Sequence, residues 1–235
     1  VVNLLGIKIG DKHTWRDWGL RLESYTIPMP EPQTKTIEVP GMSSVLDLTE
    51  VLTGTVPYKR RTLSFAFSCK DFSYEKWHAV YTEIANACHG QRRRIVLDTD
   101  PGYYYEGRCT VSSTKDNNVL SDITITVDAE PFKHELAATT EPWQWDGFNF
   151  ITGVIRDYGS ITVDGSKTLT VVGYSRPEVP TFTCSAAIQI MLGGKTYSLP
   201  AGESQNSDIL ISPGETPVTL TGTGTVSILL KGDYL

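Results

Sequence analysis

Three carboxylates, Asp98, Asp100 and Glu106, fall within nine positions of an extended run. Two carboxylates on one face are what glycoside hydrolysis uses, one as acid and one as base or nucleophile. The same residues also write a turn, since Asp98-Thr99-Asp100-Pro101-Gly102 combines Asp side chains that bond nearby backbone N–H groups with a following Pro-Gly, and the turn is the stronger reading. His13 with Asp11 and Asp17, or His89 beside Cys88, has the residue types of a nucleophile or metal cluster. No H-E-x-x-H, nucleophile elbow, P-loop or paired-Cys spacing accompanies them. Cys69, Cys88, Cys109 and Cys184 stand singly, which suits buried free thiols better than zinc or a disulfide framework. The expectation is a chain without catalytic residues, cofactor or metal.

Two basic runs, Lys59-Arg60-Arg61 and Arg92-Arg93-Arg94, are the remaining candidates for chemistry. A net charge of −6 and a pI near 5.2 oppose a protein whose main task is coating nucleic acid, because phosphate affinity rests on Lys and Arg displacing counterions. Solvated faces or inter-subunit salt bridges are the expectation for both runs.

The elements that must carry these groups are mostly strands. Period-two alternation marks 62–67, 122–127, 160–163, 168–171 and 225–230, each rich in β-branched residues. One helix is predicted from Ser73, a good N-cap, with Trp77, Val80, Tyr81, Ile84 and Cys88 on one face before Gly90. All five Trp, all four His and sixteen of the 21 Lys and Arg precede residue 146. Beyond about Ile151 the chain is rich in Thr, Ser, Gly and Val, with turn signals at Val163-Asp164-Gly165, Gly193-Gly194-Lys195 and Ser212-Pro213-Gly214-Glu215. That predicts a small antiparallel sandwich after a link near 137–142, hence domains over about 1–140 and 141–235. Trp143 and Trp145, two apart at that boundary, are candidates for domain docking or a partner patch. No apolar run is long enough to span a bilayer, and Val1 to Lys8 lacks a signal-peptide layout, so the expectation is assembly in a cytoplasm.

One segment reads differently. Ile27-Pro28-Met29-Pro30-Glu31-Pro32 is a stiff, extended approach. It leads to a strand at Lys35-Thr36-Ile37-Glu38-Val39, a break at Pro40-Gly41, and a second strand at Val45-Leu46-Asp47-Leu48-Thr49. An ordinary internal hairpin and an arm leaving the domain body satisfy this pattern equally.

The order of signatures is specific: Gly10-Asp11-Lys12-His13-Thr14-Trp15-Arg16-Asp17-Trp18-Gly19-Leu20, Lys35 to Gly41, Leu46 to Glu50, Gly54, Tyr58 to Leu63, His89-Gly90, Leu97 to Pro101, Tyr103 to Arg108, and Asp128 to Lys133. Over the first 135 or so residues it resembles the distal tail protein family of bacteriophages with long, non-contractile tails. The resemblance implies a mainly β fold: an N-terminal sandwich or split-barrel-like domain with one helix (about 73–89) and a protruding hairpin belt (about 33–65), then a galectin-like C-terminal β-sandwich. It implies a non-enzymatic virion protein that forms a hexameric ring and hub for host-adhesion components. Its partners would be copies of itself, the tail tube protein, and a tail-tip or baseplate protein. DNA would pass through without specific binding, and nothing would insert into a membrane. Belt contacts would come from Ile37, Val39, Pro40, Gly41, Leu46 and Leu48. Where relatives often place a Gly-containing polar turn, this chain has Met42-Ser43-Ser44. The alternative from another class is a carbohydrate-binding adhesin. Residues 151–235 hold no Trp or His to build a galactoside site, leaving Tyr158, Tyr174 and Tyr197 as the stacking candidates.

Overall fold

The computed structural model describes residues 5–41, 43–51, 54–70, 73–115, 120–136, 156–174 and 176–235. Trp143 and Trp145 lie outside them. The chain is mainly β, with antiparallel sheets of which one curls into a half-barrel. It divides into two compact units, Val1–Leu136 and Ala137–Tyr234.

The first unit contains β1 (Ile7–Ile9), β2 (Lys12–His13), α1 (Thr14–Trp18), β3 (Arg21–Thr26), β4 (Thr36–Ile37), β5 (Leu46–Asp47), β6 (Arg61–Lys70), α2 (Tyr74–Cys88), β7 (Arg92–Leu97), β8 (Asp100–Lys115), β9 (Leu120–Ala129) and β10 (Lys133–Glu135). Its main sheet runs β2-β1-β7-β8-β9-β6-β3, with β10 also on β8, while β4 and β5 pair only with each other. Alternation sets the inner face: Leu63, Phe65, Phe67 and Cys69 on β6, Ile123, Ile125 and Val127 on β9, and Cys109 and Val111 on β8 are buried in one core. α2 covers that face with Trp77, Ile84 and Cys88, and Val80 and Tyr81 pack at its margin. Each fully buried large apolar side chain contributes about 1.5–3 kcal/mol, so this stripe outweighs the helix's intrinsic propensity. Ser73 Oγ accepts the Lys76 N–H as expected of an N-cap.

The second unit contains β11 (Ile161–Gly173), β12 (Thr181–Cys184), β13 (Ile188–Leu192), β14 (Lys195–Leu199), β15 (Gly202–Gln205) and β16 (Gly214–Leu229). β11 and β16 pair along their length, from Ile161 opposite Val226 to Gly173 opposite Gly214. Val163-Asp164-Gly165 is therefore no turn, and the two strands expected at 160–163 and 168–171 are one. Gly165 instead holds a positive φ of 78° within the unbroken ladder, opposite Gly222. The other edge of β16 pairs with β13 at Val218–Thr221 and with β12 at Val226–Leu229. Between those stretches Gly222 and Gly224 hold φ of 142° and 153°, and a Cβ there would sit 2.9 Å from Ile188 Cδ1 and 2.7 Å from Ser185 Oγ. Glycine lets the ladder bend here, so both ends of the long hairpin bury side chains in one core with Phe182, Ile188 and Ile190.

Candidate assembly interface

Pro30 is the last buried residue before the arm, and Arg61 is the next buried one; no described residue between them is buried. The stem is held by backbone bonds: Gln33 N–H to Pro57 C=O (2.8 Å), Lys59 N–H to Glu31 C=O (2.9 Å) and Leu48 N–H to Lys35 C=O (2.8 Å). A Lys59–Glu31 ion pair at 3.1 Å adds to it. Asp47 accepts from the Thr49 hydroxyl and backbone N–H, which holds its carboxyl below the ordinary range and fixes the turn after β5. The ribbon is shorter than the alternation predicts, because only Thr36–Ile37 and Leu46–Asp47 make ladder pairs.

The expected belt residues all lie on this arm. Ile37 sits directly opposite Leu46, and both are 43% exposed. Val39, Pro40 and Gly41 are exposed towards the tip, and Leu48 is half-buried in the stem. Glu38 to Gly41 and Ser43 to Val45 curl around an open concavity of about 450 Å³. Met42 falls outside the described residues. A two-stranded ribbon with its apolar side chains in water is marginal by itself.

A second surface lies on the face of β8, β9, β6 and β3 opposite the core. Cross-strand register places Thr110, Thr126, Ser64 and Thr26 in one row and Ser112, Thr124, Ala66 and Ser24 in the next. These two central rows carry hydroxyls and one methyl but no charge. Flanking rows are Arg108-Asp128-Thr62 and Thr114-Asp122-Ser68-Arg21, with Arg21 paired to Glu23.

The basic runs are tied down around these surfaces. Arg60 Nε donates to both Asp128 carboxylate oxygens at 3.0 Å, and Arg92 pairs with Glu106 (2.8 Å) and Glu130. Arg93 Nε donates to Ala87 C=O at the end of α2, and Arg108 donates to Gly90 C=O, so two cations sit at the negative end of that helix. Arg94 stacks 4.6 Å above the Tyr104 ring. Arg61 is different: it is 5% exposed, stacks over Tyr105 at 5.1 Å, and makes one hydrogen bond, from Nη1 to Pro28 C=O at 3.2 Å. Burial pushes its pKa down. Its phase with Leu63 and Phe65 on β6 was the signal that it points inward.

Of the candidate catalytic groups, His13, Asp17 and Asp98 meet, while Asp98, Asp100 and Glu106 each bond a different partner. Asp98 bonds His13 Nε2 (3.1 Å) and the Gly6 N–H (2.9 Å), Asp100 pairs with Lys133 (2.7 Å), and Glu106 pairs with Arg92. His13 instead caps α1, a helix the sequence reading missed: Nδ1 accepts from Trp15 N–H and Arg16 N–H at 3.2 Å, while Asp17 accepts the His13 N–H at 2.6 Å. Nδ1 is therefore unprotonated, and Nε2 carries the proton donated to Asp98. Gly6 lies so close that a Cβ would meet His13 Cε1 at 2.6 Å. Cys88 donates to Ile84 C=O, and His89 Nδ1 accepts the Val111 N–H, so neither acts on the other. Burial raises the thiols of Cys69 and Cys109 to about 12 and of Cys88 to about 11, and Cys184 is also raised. Among the described residues no group of three or more His, Cys, Asp or Glu is placed to hold a metal ion, and no helix is long and apolar enough to cross a membrane. In the sandwich, Tyr158 is buried and its hydroxyl accepts the Val172 N–H. Tyr174 is buried under Arg156, and Tyr197 packs on the core, so the three tyrosines serve packing.

No protein-family model matches the sequence, and no curated protein does. Among solved structures the chain is similar in fold to the SPP1 Dit (gp 19.1) protein, described as a paradigm of the hub adsorption apparatus in phages that infect Gram-positive hosts. The TM-score is 0.59 at 11% identity, covering 99% of this chain and 100% of that one.

Proposed function

We propose that this chain is a non-catalytic structural subunit of a phage tail, forming a ring that joins the tail tube to the tail tip or baseplate and serves as a hub for host-adhesion components. The observation that carries the reading is the likeness in fold to SPP1 Dit over nearly the full length of both chains. The ordered signatures of the distal tail family support it, and six copies per ring is the number that resemblance implies. Assembly takes place in the host cytoplasm, and the mature location is the virion.

The arm supplies the joining device. Ring closure needs a head-to-tail interface in which one patch meets a different patch on the next copy. An arm with Ile37, Val39, Val45 and Leu46 exposed gains burial only by lying on another surface. Its Pro-stiffened root limits the entropy lost when it docks. The uncharged hydroxyl rows of the main sheet suit a channel lining. A passing duplex finds no Lys or Arg there to displace its counterions, and so no affinity that would hold it.

Deleting residues 39–48 tests this. The expected product is a soluble single copy whose sandwich still unfolds cooperatively, seen by light scattering and thermal melting. Rings formed by the deletion variant would remove the arm from the account.

A further inference from the structure

Arg61 is the most buried cation of the two basic runs and the least satisfied. Nε and Nη2 are both buried with no hydrogen-bond partner. Arg60, Arg92 and Arg93 each find at least two oxygen acceptors. A buried guanidinium with two unpartnered N–H groups is costly, and an arriving acceptor would relieve that cost. Arg61 stands where β6 receives the arm, under the Pro28 carbonyl of the outgoing strand.

The arm is complementary in charge. From 31 to 51 it carries Glu31, Glu38, Asp47 and Glu50 against a single Lys35. Glu31 is paired with Lys59 and Asp47 is engaged by Thr49. The carboxylates of Glu38 and Glu50 have no hydrogen bond or ion pair among the described residues. Glu50 belongs to the stem, where its carbonyl accepts the Gly54 N–H. Glu38 belongs to the tip, between exposed Ile37 and Val39 and on the rim of the concavity. A planar guanidinium with two free donors takes a carboxylate through two parallel bonds.

We infer that Arg61 is the seat of an inter-copy ion pair: in the ring, its Nε and Nη2 receive the Glu38 carboxylate of a second copy's arm. This rests on the ring reading and names the polar contact that sets the arm's register. Reaching the guanidinium requires the Pro28–Pro30 segment to shift, breaking the one bond from Nη1. Met29 in that segment is 77% exposed, whereas Pro30 is buried, so the shift has to unseat Pro30 and the new ion pair has to offset that loss.

Five full-length variants decide the matter by sedimentation across concentration, with thermal melting of the unassembled chain: Arg61→Met, Glu38→Arg, Arg61→Glu, and Arg61→Glu combined with Glu38→Arg or with Glu50→Arg. Arg61→Met keeps the volume and removes an under-bonded buried charge, so the single copy melts no lower than wild type. Its assembly weakens by roughly 30-fold or more, the usual result of truncating one member of a buried charge pair. Glu38→Arg also blocks assembly, and Glu38→Arg with Arg61→Glu restores it. The inference fails if Arg61→Met assembles like wild type, if it lowers the single-copy melt while leaving assembly intact, or if the swapped pair is no better than either single variant. It also fails if Glu50→Arg, in place of Glu38→Arg, is what rescues Arg61→Glu. A wild-type chain that never assembles would sink the ring reading itself, and this pair with it.

Discussion

At the scale of single residues, His13, Asp98, Asp100 and Glu106 each bond a partner within the chain. His13 is the clearest case. It was visible as a titratable group near two acids, but its partner Asp98 lies 85 positions away, and imidazole is not among the usual helix caps, so no local pattern announced the role. Replacing it with Ala removes a cap and leaves Asp98 short of a donor, which should destabilise the first unit by about 1–3 kcal/mol in urea unfolding. The thiols were legible as buried from their isolation and residue type. Their raised values set a pH window. Below the ordinary 9.0 the neutral thiols contribute their full packing, and that stability drains away as pH climbs towards about 11 to 12, because only the unfolded chain ionises freely in between. A chromogenic disulfide reagent should therefore find no reactive thiol in the native protein at neutral pH and four after denaturation, with thermal stability falling above pH 9.

At the scale of elements, alternation and capping revealed most of the framework. The α2 stripe and the β6 and β9 alternation are strong because each has one face in a core and one in water. α1 was missed since five residues offer no period to read. β11 was split by its own Asp-Gly signal, whose local turn preference yields to thirteen cross-strand pairs with β16. The arm's strands came out shorter than expected: two ladder pairs form, and the remaining bonds among the described residues hold the stem rather than extend the ribbon. The glycines of the bent ladder were in plain sight, yet their purpose depends on Ser185 and Ile188 arriving beside them. Gly222→Ala forces a positive φ on a residue with a Cβ and presses it against Ile188 Cδ1 and, at 3.4 Å, Ala187 C=O. The loss should be about 2 kcal/mol or more in the sandwich transition, with the first unit's melt unchanged in calorimetry.

At the scale of the whole molecule, the two units fold on separate cores, and the described part of the arm keeps Ile37, Val39, Val45 and Leu46 exposed. Composition argued against a nucleic-acid coat, and the hydroxyl rows of the main sheet are the outward half of the same alternation that builds the core. Oligomer number is the quantity that neither composition nor periodicity encodes, since it depends on the angle between copies. Negative-stain microscopy of the purified full-length chain, with its mass measured by light scattering in the same buffer, addresses that directly. The account predicts closed rings with a central channel and a mass near six times 26.0 kDa. A homogeneous 26.0 kDa species at every concentration, with no rings on the grid, would contradict it.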